Sequence, residues 1–183
     1  MKKLFMILPL ALILCFMVGC QDKEAMAELE AFKAQVAVEK QNEAIYRHLT
    51  EEMNKGYNEF VIAVREVCAP EFAFYAPSRS TSPSSLEETI EAFKMYYQAF
   101  PDHNIVIQEV IAKGDKVVAR VTFTGTHTGE WSGIPATGNK IMGSTIEIWH
   151  MKDGKCVEIR EETDYVGFYE QLGLEHKPKV GEK

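Results

Sequence analysis

The chain has 183 residues and a formal net charge of −7, from 20 Lys and Arg against 27 Asp and Glu. This length predicts one domain with a single sizeable core. An acidic chain is not expected to bind nucleic acid or an anionic lipid surface as its main partner, because both carry negative charge.

The N-terminus has the pattern of an export signal. Two lysines precede an uncharged, mostly apolar run over 4–18, which is too short to span a bilayer. The run ends in MVGC at Cys20, which resembles the lipobox of bacterial lipoproteins, with Met17 where leucine is usual. We therefore predict a signal peptide over 1–19, lipidation of Cys20, and anchoring to a membrane of the bacterial cell envelope. An ordinary secretory signal with an incidental cysteine is the alternative.

Helical patterns occupy the first half of the chain. Residues 20–38 have apolar side chains at helical spacing and no Gly after the anchor, which predicts a spacer between the lipid and the domain. Gly56 ends the next helical pattern, Pro70 ends another, and Ser85 with Glu88 forms a capping box before the last. Three helices of the domain are therefore predicted over 39–54, 59–67 and 86–100.

After Pro101 the apolar pattern changes from helical to alternating, which is typical of strands. Gly114-Asp115 and Asp153-Gly154 are two-residue hairpin signals. Helices followed by antiparallel hairpins predict an α+β domain, with the helices covering one face of the sheet. Strands are predicted over 71–75, 104–113, 116–128, 141–152 and 155–165, followed by a helical turn over 166–172 and a polar tail over 175–183.

Six short motifs occur in order between residues 39 and 174. They are FPD at 100–102, KGDKV at 113–117, GTHTG at 125–129, GIPATG at 133–138, DGK at 153–155 and QLG at 171–173. Together they resemble the SnoaL-like polyketide cyclase family, also called ester cyclases. The resemblance implies a domain over 39–174 with a cystatin-like, nuclear transport factor 2-like fold. Such a fold is a cone of curved antiparallel sheet, packed by three N-terminal helices around a pocket.

The resemblance also implies acid/base catalysis of an intramolecular aldol ring closure, without cofactor or metal. The family's catalytic aspartate falls on Glu161, and its neighbouring pocket histidine falls on Glu147. The family's downstream aspartate matches Asp164. These three carboxylates are therefore the candidate catalytic residues, and a carboxylate in place of the histidine departs from the family pattern.

The last strand supports an inward position for Glu161 without reference to the family. Alternation puts Glu161 on one face with Val157 and Ile159, and this apolar pair predicts that the face points inward. Burial there raises a carboxyl pKa toward neutrality, which suits a general acid or base. Solvation at the rim, or pairing with Arg120 or Arg160, is the alternative.

Periodicity and the family register disagree about Glu147. It shares a face with Thr145 and Trp149, whereas Ile146 and Ile148 occupy the other and more apolar face. Alternation alone therefore predicts that Glu147 points outward. The family register instead puts it inside beside Glu161, where two carboxylates would share one proton.

Five further residues are candidates for binding a ligand in an apolar pocket. His127 ends an apolar face, where a hydrogen-bonded structural role is the alternative. Trp131, within the glycine-rich connection 129–139, could stack on a flat ligand or pack against the edge of the cone. The others are aromatic residues for which a core role is the alternative: Tyr75, Tyr97 and Trp149.

Three functions remain open from the sequence. The first is a membrane-anchored enzyme that catalyses cyclase- or isomerase-like acid/base chemistry on a small apolar carbonyl compound. The second is a binding lipoprotein that captures such a molecule without turnover. The third is an interaction domain that forms a homodimer through the outer face of the sheet. Cys68 and Cys156 could pair in an oxidising compartment only if their Cα atoms are within about 7 Å.

Overall fold

The computed structural model describes residues 7–174, and side chains from residue 23 onward. The chain divides into two units, Met1–Val38 and Glu39–Lys183. The side chain of Cys20, for which we predict lipidation, lies outside the described residues. The predicted tail over 175–183 also lies outside them. The signal peptide and the spacer remain predictions.

Four helices and five strands make up the described chain. The helices are α1 (Ile7–Met53), α2 (Tyr57–Val67), α3 (Leu86–Ala99) and α4 (Tyr165–Gln171). The strands are β1 (Cys68–Tyr75), β2 (Asn104–Lys113), β3 (Lys116–Thr126), β4 (Lys140–Lys152) and β5 (Lys155–Thr163). Within residues 7–174, none of the helices has the length and hydropathy that a membrane-spanning helix needs.

The strands form one five-stranded sheet in the order β1-β5-β4-β3-β2. Neighbours among β2 to β5 pair antiparallel, as the hairpin signals predict. Irregularities of register between Ile107 and Glu109 and between His150 and Met151 add to the bending of the sheet, since bulges bend strands. The predicted α+β fold with a curved sheet is confirmed. The parallel pairing of β1 with β5 is an addition that the sequence did not predict.

Local sequence signals explain where the elements turn. Gly114 has a φ of 59°, and the turn between β4 and β5 has φ values of 50° at Asp153 and 74° at Gly154. These left-handed conformations suit the two-residue hairpin turns that the sequence predicts. Ser85 and Glu88 form the predicted capping box at the start of α3.

The inner face of the sheet is buried against the helices of the second unit. Val117, Ala119 and Val121 alternate along β3 and are almost fully buried. They share a core with residues of α1, α2 and α3, including Tyr46 of α1 and Phe60 of α2. The outer face is solvated and includes exposed apolar side chains. One face of the sheet is therefore available to line a cavity.

Candidate active site

The curved sheet and the elements around it form a half-open cavity of about 230 Å³. Its wall is mostly apolar and aromatic, and includes Phe74, Phe93, Tyr96, Phe123, Trp131 and Phe168. A smaller cavity of about 60 Å³ lies against α1 and α2. Both cavities are lined by Glu147 and Glu161. The two carboxylates therefore lie where the cavities meet.

The sheet register brings the two carboxylates together. Glu147 of β4 and Glu161 of β5 are direct partners across the antiparallel pair, where Cβ atoms are about 5 Å apart. Glu161 points inward, as alternation predicts. Glu147 also points inward, so the outward position that periodicity favours is wrong. The reason is that Ile146 and Ile148, which are 50% and 37% exposed, occupy the outer face of the sheet.

Each carboxylate accepts a hydrogen bond from a neighbouring side chain. The indole Nε1 of Trp149 donates to Glu147 Oε2 at 2.7 Å, and the hydroxyl of Tyr46 lies 3.5 Å from Glu147 Oε1. The hydroxyl of Thr163 donates to Glu161 Oε1 at 2.8 Å. Thr145, opposite Thr163 in the register, contacts that hydroxyl in turn. These bonds fix the carboxylate planes and favour their ionised forms.

Burial has the larger effect on the protonation of the pair. Burial, followed by the negative charge of Glu161, raises the pKa of Glu147 to about 7. Burial also raises the pKa of Glu161. Neither candidate arginine neutralises the pair, because Arg120 pairs with Glu109 and Arg160 with Glu158. Because the two carboxylates interact, their protons are lost in two steps that belong to the pair rather than to either residue.

Three tyrosines add neutral hydrogen-bonding groups around the pair. Burial and the charge of Glu147 raise the pKa of Tyr46, and burial raises the pKa of Tyr96. Burial, followed by the charge of Glu161, raises the pKa of Tyr165 to about 12. All three phenols stay protonated near neutral pH. Tyr96 and Tyr165 line the larger cavity, so their hydroxyl groups are candidates to bind a polar atom of a ligand.

Four of the predicted site residues, His127 among them, lie outside both cavities. Asp164 is the N-cap of α4, where its Oδ1 accepts from the backbone N–H of Gly167 at 2.9 Å. Tyr75 packs under Arg160, whose Cζ is 4.0 Å from the ring centroid. Tyr97 is a core residue that donates from its hydroxyl to the backbone carbonyl of Met53 at 2.8 Å. The contacts of these side chains are with protein groups, and their predicted roles toward a ligand stay predictions.

His127 also has a structural position. Its side chain is fully buried and stacks on Phe100, with ring centroids 5.2 Å apart. Its Nδ1 accepts from the backbone N–H of Thr137 at 3.3 Å and lies 3.0 Å from the Thr137 hydroxyl oxygen. His127 therefore fastens the loop between β3 and β4 to the core, which is the alternative that the sequence left open.

The two tryptophans occupy different parts of the site. Trp131 lines the larger cavity, at the edge of the loop that His127 holds. Its ring also contacts Tyr96, with centroids 5.7 Å apart. Trp149 is buried, lines the smaller cavity and donates to Glu147. Trp131 can therefore touch a ligand in the larger cavity, whereas Trp149 orients a carboxylate.

Sequence reasoning missed several residues of the site. Thr145 and Thr163 were recognisable, because each is two positions from a candidate glutamate and so points to the same side. Tyr46 gave no such signal, since it comes from a helix far away in the chain. Among the described side chains, no three His, Cys, Asp or Glu residues are placed to hold a metal ion. The expectation that catalysis needs no metal or cofactor remains a prediction.

Comparison with known proteins identifies the family. The model of the SnoaL-like polyketide cyclase family matches residues 43–172, so the chain belongs to this family. The resemblance that the six sequence motifs indicated is confirmed.

Individual relatives agree with this assignment. Aklanonic acid methyl ester cyclase DnrD of Streptomyces peucetius is 40% identical over 60 residues, which are 33% of this chain and 41% of that protein. AcmA of Streptomyces galilaeus, with the same description, is 41% identical over 61 residues, 33% of this chain and 42% of that protein. The chain thus matches about two fifths of these curated relatives. The structure of TsrD from Streptomyces laurentii has a TM-score of 0.60 at 28% identity, covering 71% of this chain and 96% of TsrD.

Proposed function

We propose that this protein catalyses cofactor-free acid/base chemistry, of the cyclase or isomerase type, on a small and largely apolar carbonyl compound. Glu161 acts as the general base and Glu147 as the general acid. The observation that carries the proposal is the direct pairing of these carboxylates at an apolar cavity, with a pKa of about 7 for Glu147. A pair of this kind offers one base and one acid near neutral pH.

The proposed reaction begins with removal of a proton from the carbon next to a carbonyl group. Glu161 takes this proton, and the electron pair of the C–H bond forms an enolate whose oxygen is hydrogen-bonded by protonated Glu147. In ring closure, the enolate carbon attacks a second carbonyl of the same molecule. Glu147 gives its proton to the resulting alkoxide. Trp149 and Thr163 hold the two carboxylates in position during these steps.

The cavity limits the size of the substrate. An engineered cavity of about 150 Å³ binds benzene, so about 230 Å³ suits a molecule of one ring or two small rings. The aromatic wall, which includes Tyr96 and Trp131, favours a flat body. The relatives named as cyclases of aklanonic acid methyl ester support ring closure as the reaction class.

Proton exchange tests the proposal without knowledge of the substrate. A panel of one-ring β-keto esters and 1,3-diketones is incubated with the protein in D₂O, and loss of the α-proton signal is followed by NMR. We expect the wild type to accelerate exchange on at least one compound, and Glu161→Gln to slow it about 100-fold or more. Glu109→Gln is the matched control, because Glu109 is exposed on β2 and lines neither cavity. Full exchange by Glu161→Gln would contradict the proposed role of the base.

A non-catalytic binding protein is the second candidate function. It is favoured by the apolar cavity and by the carboxylate of Glu147 at the family's histidine position. Thermal-shift measurements with the same panel distinguish the two functions. Ligands that stabilise the wild type and Glu161→Gln alike, with no proton exchange by either, would support binding alone.

We also propose that the protein is exported, and anchored to a membrane by a lipid on Cys20. The charged start, the apolar run over 4–18 and the small residue before Cys20 support this. Expression of the full chain and of Cys20→Ser in a bacterial host, followed by membrane fractionation and mass spectrometry, tests it. We expect an acylated, membrane-bound wild type and an unacylated variant. A wild type without acyl mass would refute the anchor.

A homodimer through the outer sheet face is the remaining proposal about partners. Ile111, Val118 and Ile148 form a row across β2, β3 and β4, and each is at least 37% exposed. Exposed apolar patches of this kind often mark interaction sites. Sedimentation of the wild type and of Val118→Lys tests the proposal: we expect a dimer that the charge disrupts, and a monomeric wild type would contradict it.

A further inference from the structure

Two cysteines that play no part in the proposed chemistry face each other across the parallel strands. Cys68, the first residue of β1, is the direct register partner of Cys156 in β5. Both are buried and are present as free thiols. They lie in the edge pairing that the sequence did not predict, between segments far apart in the chain.

The geometry of this pair meets the requirements of a disulfide. Adjacent strands are about 4.8 Å apart, and disulfides join Cα atoms separated by about 4.4–6.8 Å. Register partners in neighbouring strands project to the same side of the sheet. The two thiols already interact: after burial, contact with Cys68 is the next cause that raises the pKa of Cys156. The strand pairing therefore brings the two thiols side by side.

We propose that Cys68 and Cys156 form a disulfide that joins β1 to β5 when the chain folds under oxidising conditions. The oxidant is a disulfide, either of glutathione or of a protein. One cysteine thiolate attacks it and releases one thiol. The second cysteine then displaces the other thiol and completes the Sγ–Sγ bond. Two thiols of the chain are oxidised, and one disulfide of the oxidant is reduced to two thiols.

The bond forms during folding rather than afterwards. Both thiols are buried in the folded domain, where an oxidant has little access, and burial raises the pKa of Cys156. The bond would hold a wall of the site, because β1 is an edge strand and its Phe74 lines both cavities. The pairing of β1 with β5 is interrupted between Cys68 and Ala73, so few backbone bonds hold this end of the strand.

Peptide mapping of the full chain tests the proposal. The protein is reduced and unfolded, refolded with reduced and oxidised glutathione, alkylated and digested with trypsin without reduction. Cys68 falls in peptide 66–79 and Cys156 in peptide 156–160, whereas Cys15 and Cys20 share peptide 4–23. We expect a linked species of 66–79 with 156–160 that disappears on reduction. Recovery of both peptides only in alkylated form would overturn the proposal.

Thermal unfolding provides a second readout. Closing a loop of this length predicts a Tm about 10 °C higher for the oxidised chain than for the reduced chain. The double variant Cys68→Ala, Cys156→Ala is the matched control, and its Tm should not change with reductant. Equal Tm values for the oxidised and reduced wild type would overturn the claim that the bond joins the strands of the folded domain. These measurements are independent of any catalytic activity.

Discussion

Replacing Glu147 by glutamine should change how the stability of the domain depends on pH. The amide is nearly isosteric with the carboxyl and can still accept from Trp149, but it cannot ionise. In the folded protein the pKa of Glu147 is raised from 4.5 to about 7. Between these values the folded state holds a proton that the unfolded chain has released. Stability is therefore retained below pH 4.5 and is lost as the pH rises toward 7.

The size of this loss follows from the shift itself. A difference of about 2.5 pKa units corresponds to about 3 kcal/mol at 1.36 kcal/mol per unit. Burial raises the pKa of Glu161 as well, which adds a loss in the same direction. His103, whose pKa burial lowers, contributes the opposite slope. The informative quantity is therefore the difference between Glu147→Gln and the wild type, which should favour the variant by up to about 3 kcal/mol at pH 8.

Urea unfolding at pH 5, 6, 7 and 8 measures this difference. The chain's two tryptophans, Trp131 and Trp149, both line the cavities and report unfolding by fluorescence. Glu109→Gln is the control, because it removes one carboxyl at an exposed position of β2 that lines neither cavity. If Glu147→Gln and the wild type lose stability in parallel from pH 5 to 8, the carboxyl is not held protonated by burial, and the reasoning fails.

Three other variants test separate parts of the site. Trp149→Phe removes the hydrogen-bond donor to Glu147. The pH at which the rate of α-proton exchange falls to half as Glu147 ionises should therefore rise by about one unit. An unchanged pH profile would show that this bond does not orient the acid. His127→Ala should lower the free energy of unfolding by about 3 kcal/mol, measured in urea, because it empties a fully buried site. A Cβ at Gly143 would lie 2.3 Å from the ring of Phe123, so Gly143→Ala should force this ring to move and weaken ligand stabilisation in thermal shift. Unaltered ligand-induced shifts would place the ligand elsewhere.

Most elements of the fold could be predicted from the sequence because their signals are local. The glycine hairpin turns and the capping box at Ser85 each act within four residues, and the structure has all of them. The place of β1 in the sheet could not be predicted in this way. Its partner β5 lies far along the chain, and no turn joins the two strands. Pairing of that kind depends on the packed core rather than on neighbouring residues.

The contrast between local and long-range signals also applies to the site. Alternation was sufficient to predict the inward position of Glu161, because this carboxyl shares its face of β5 with apolar residues. It failed for Glu147 because the outer face of β4 is itself apolar, at Ile146 and Ile148. Asp164 was assigned by family register, but the structure uses its carboxylate to cap α4. The family register therefore placed these carboxyl groups near the site, but it did not show which of them face the cavity.

The composition of the cavity walls has a consequence for which molecules can enter. In the singly protonated state, the carboxylate pair leaves one negative charge at the apolar cavity wall. Among the residues described as lining either cavity, none is Lys, Arg or His. An incoming anion would therefore meet uncompensated Coulomb repulsion at low effective dielectric. We expect the protein to discriminate between an ester and its free acid, admitting the neutral form and rejecting the ionised one even when the two have the same shape.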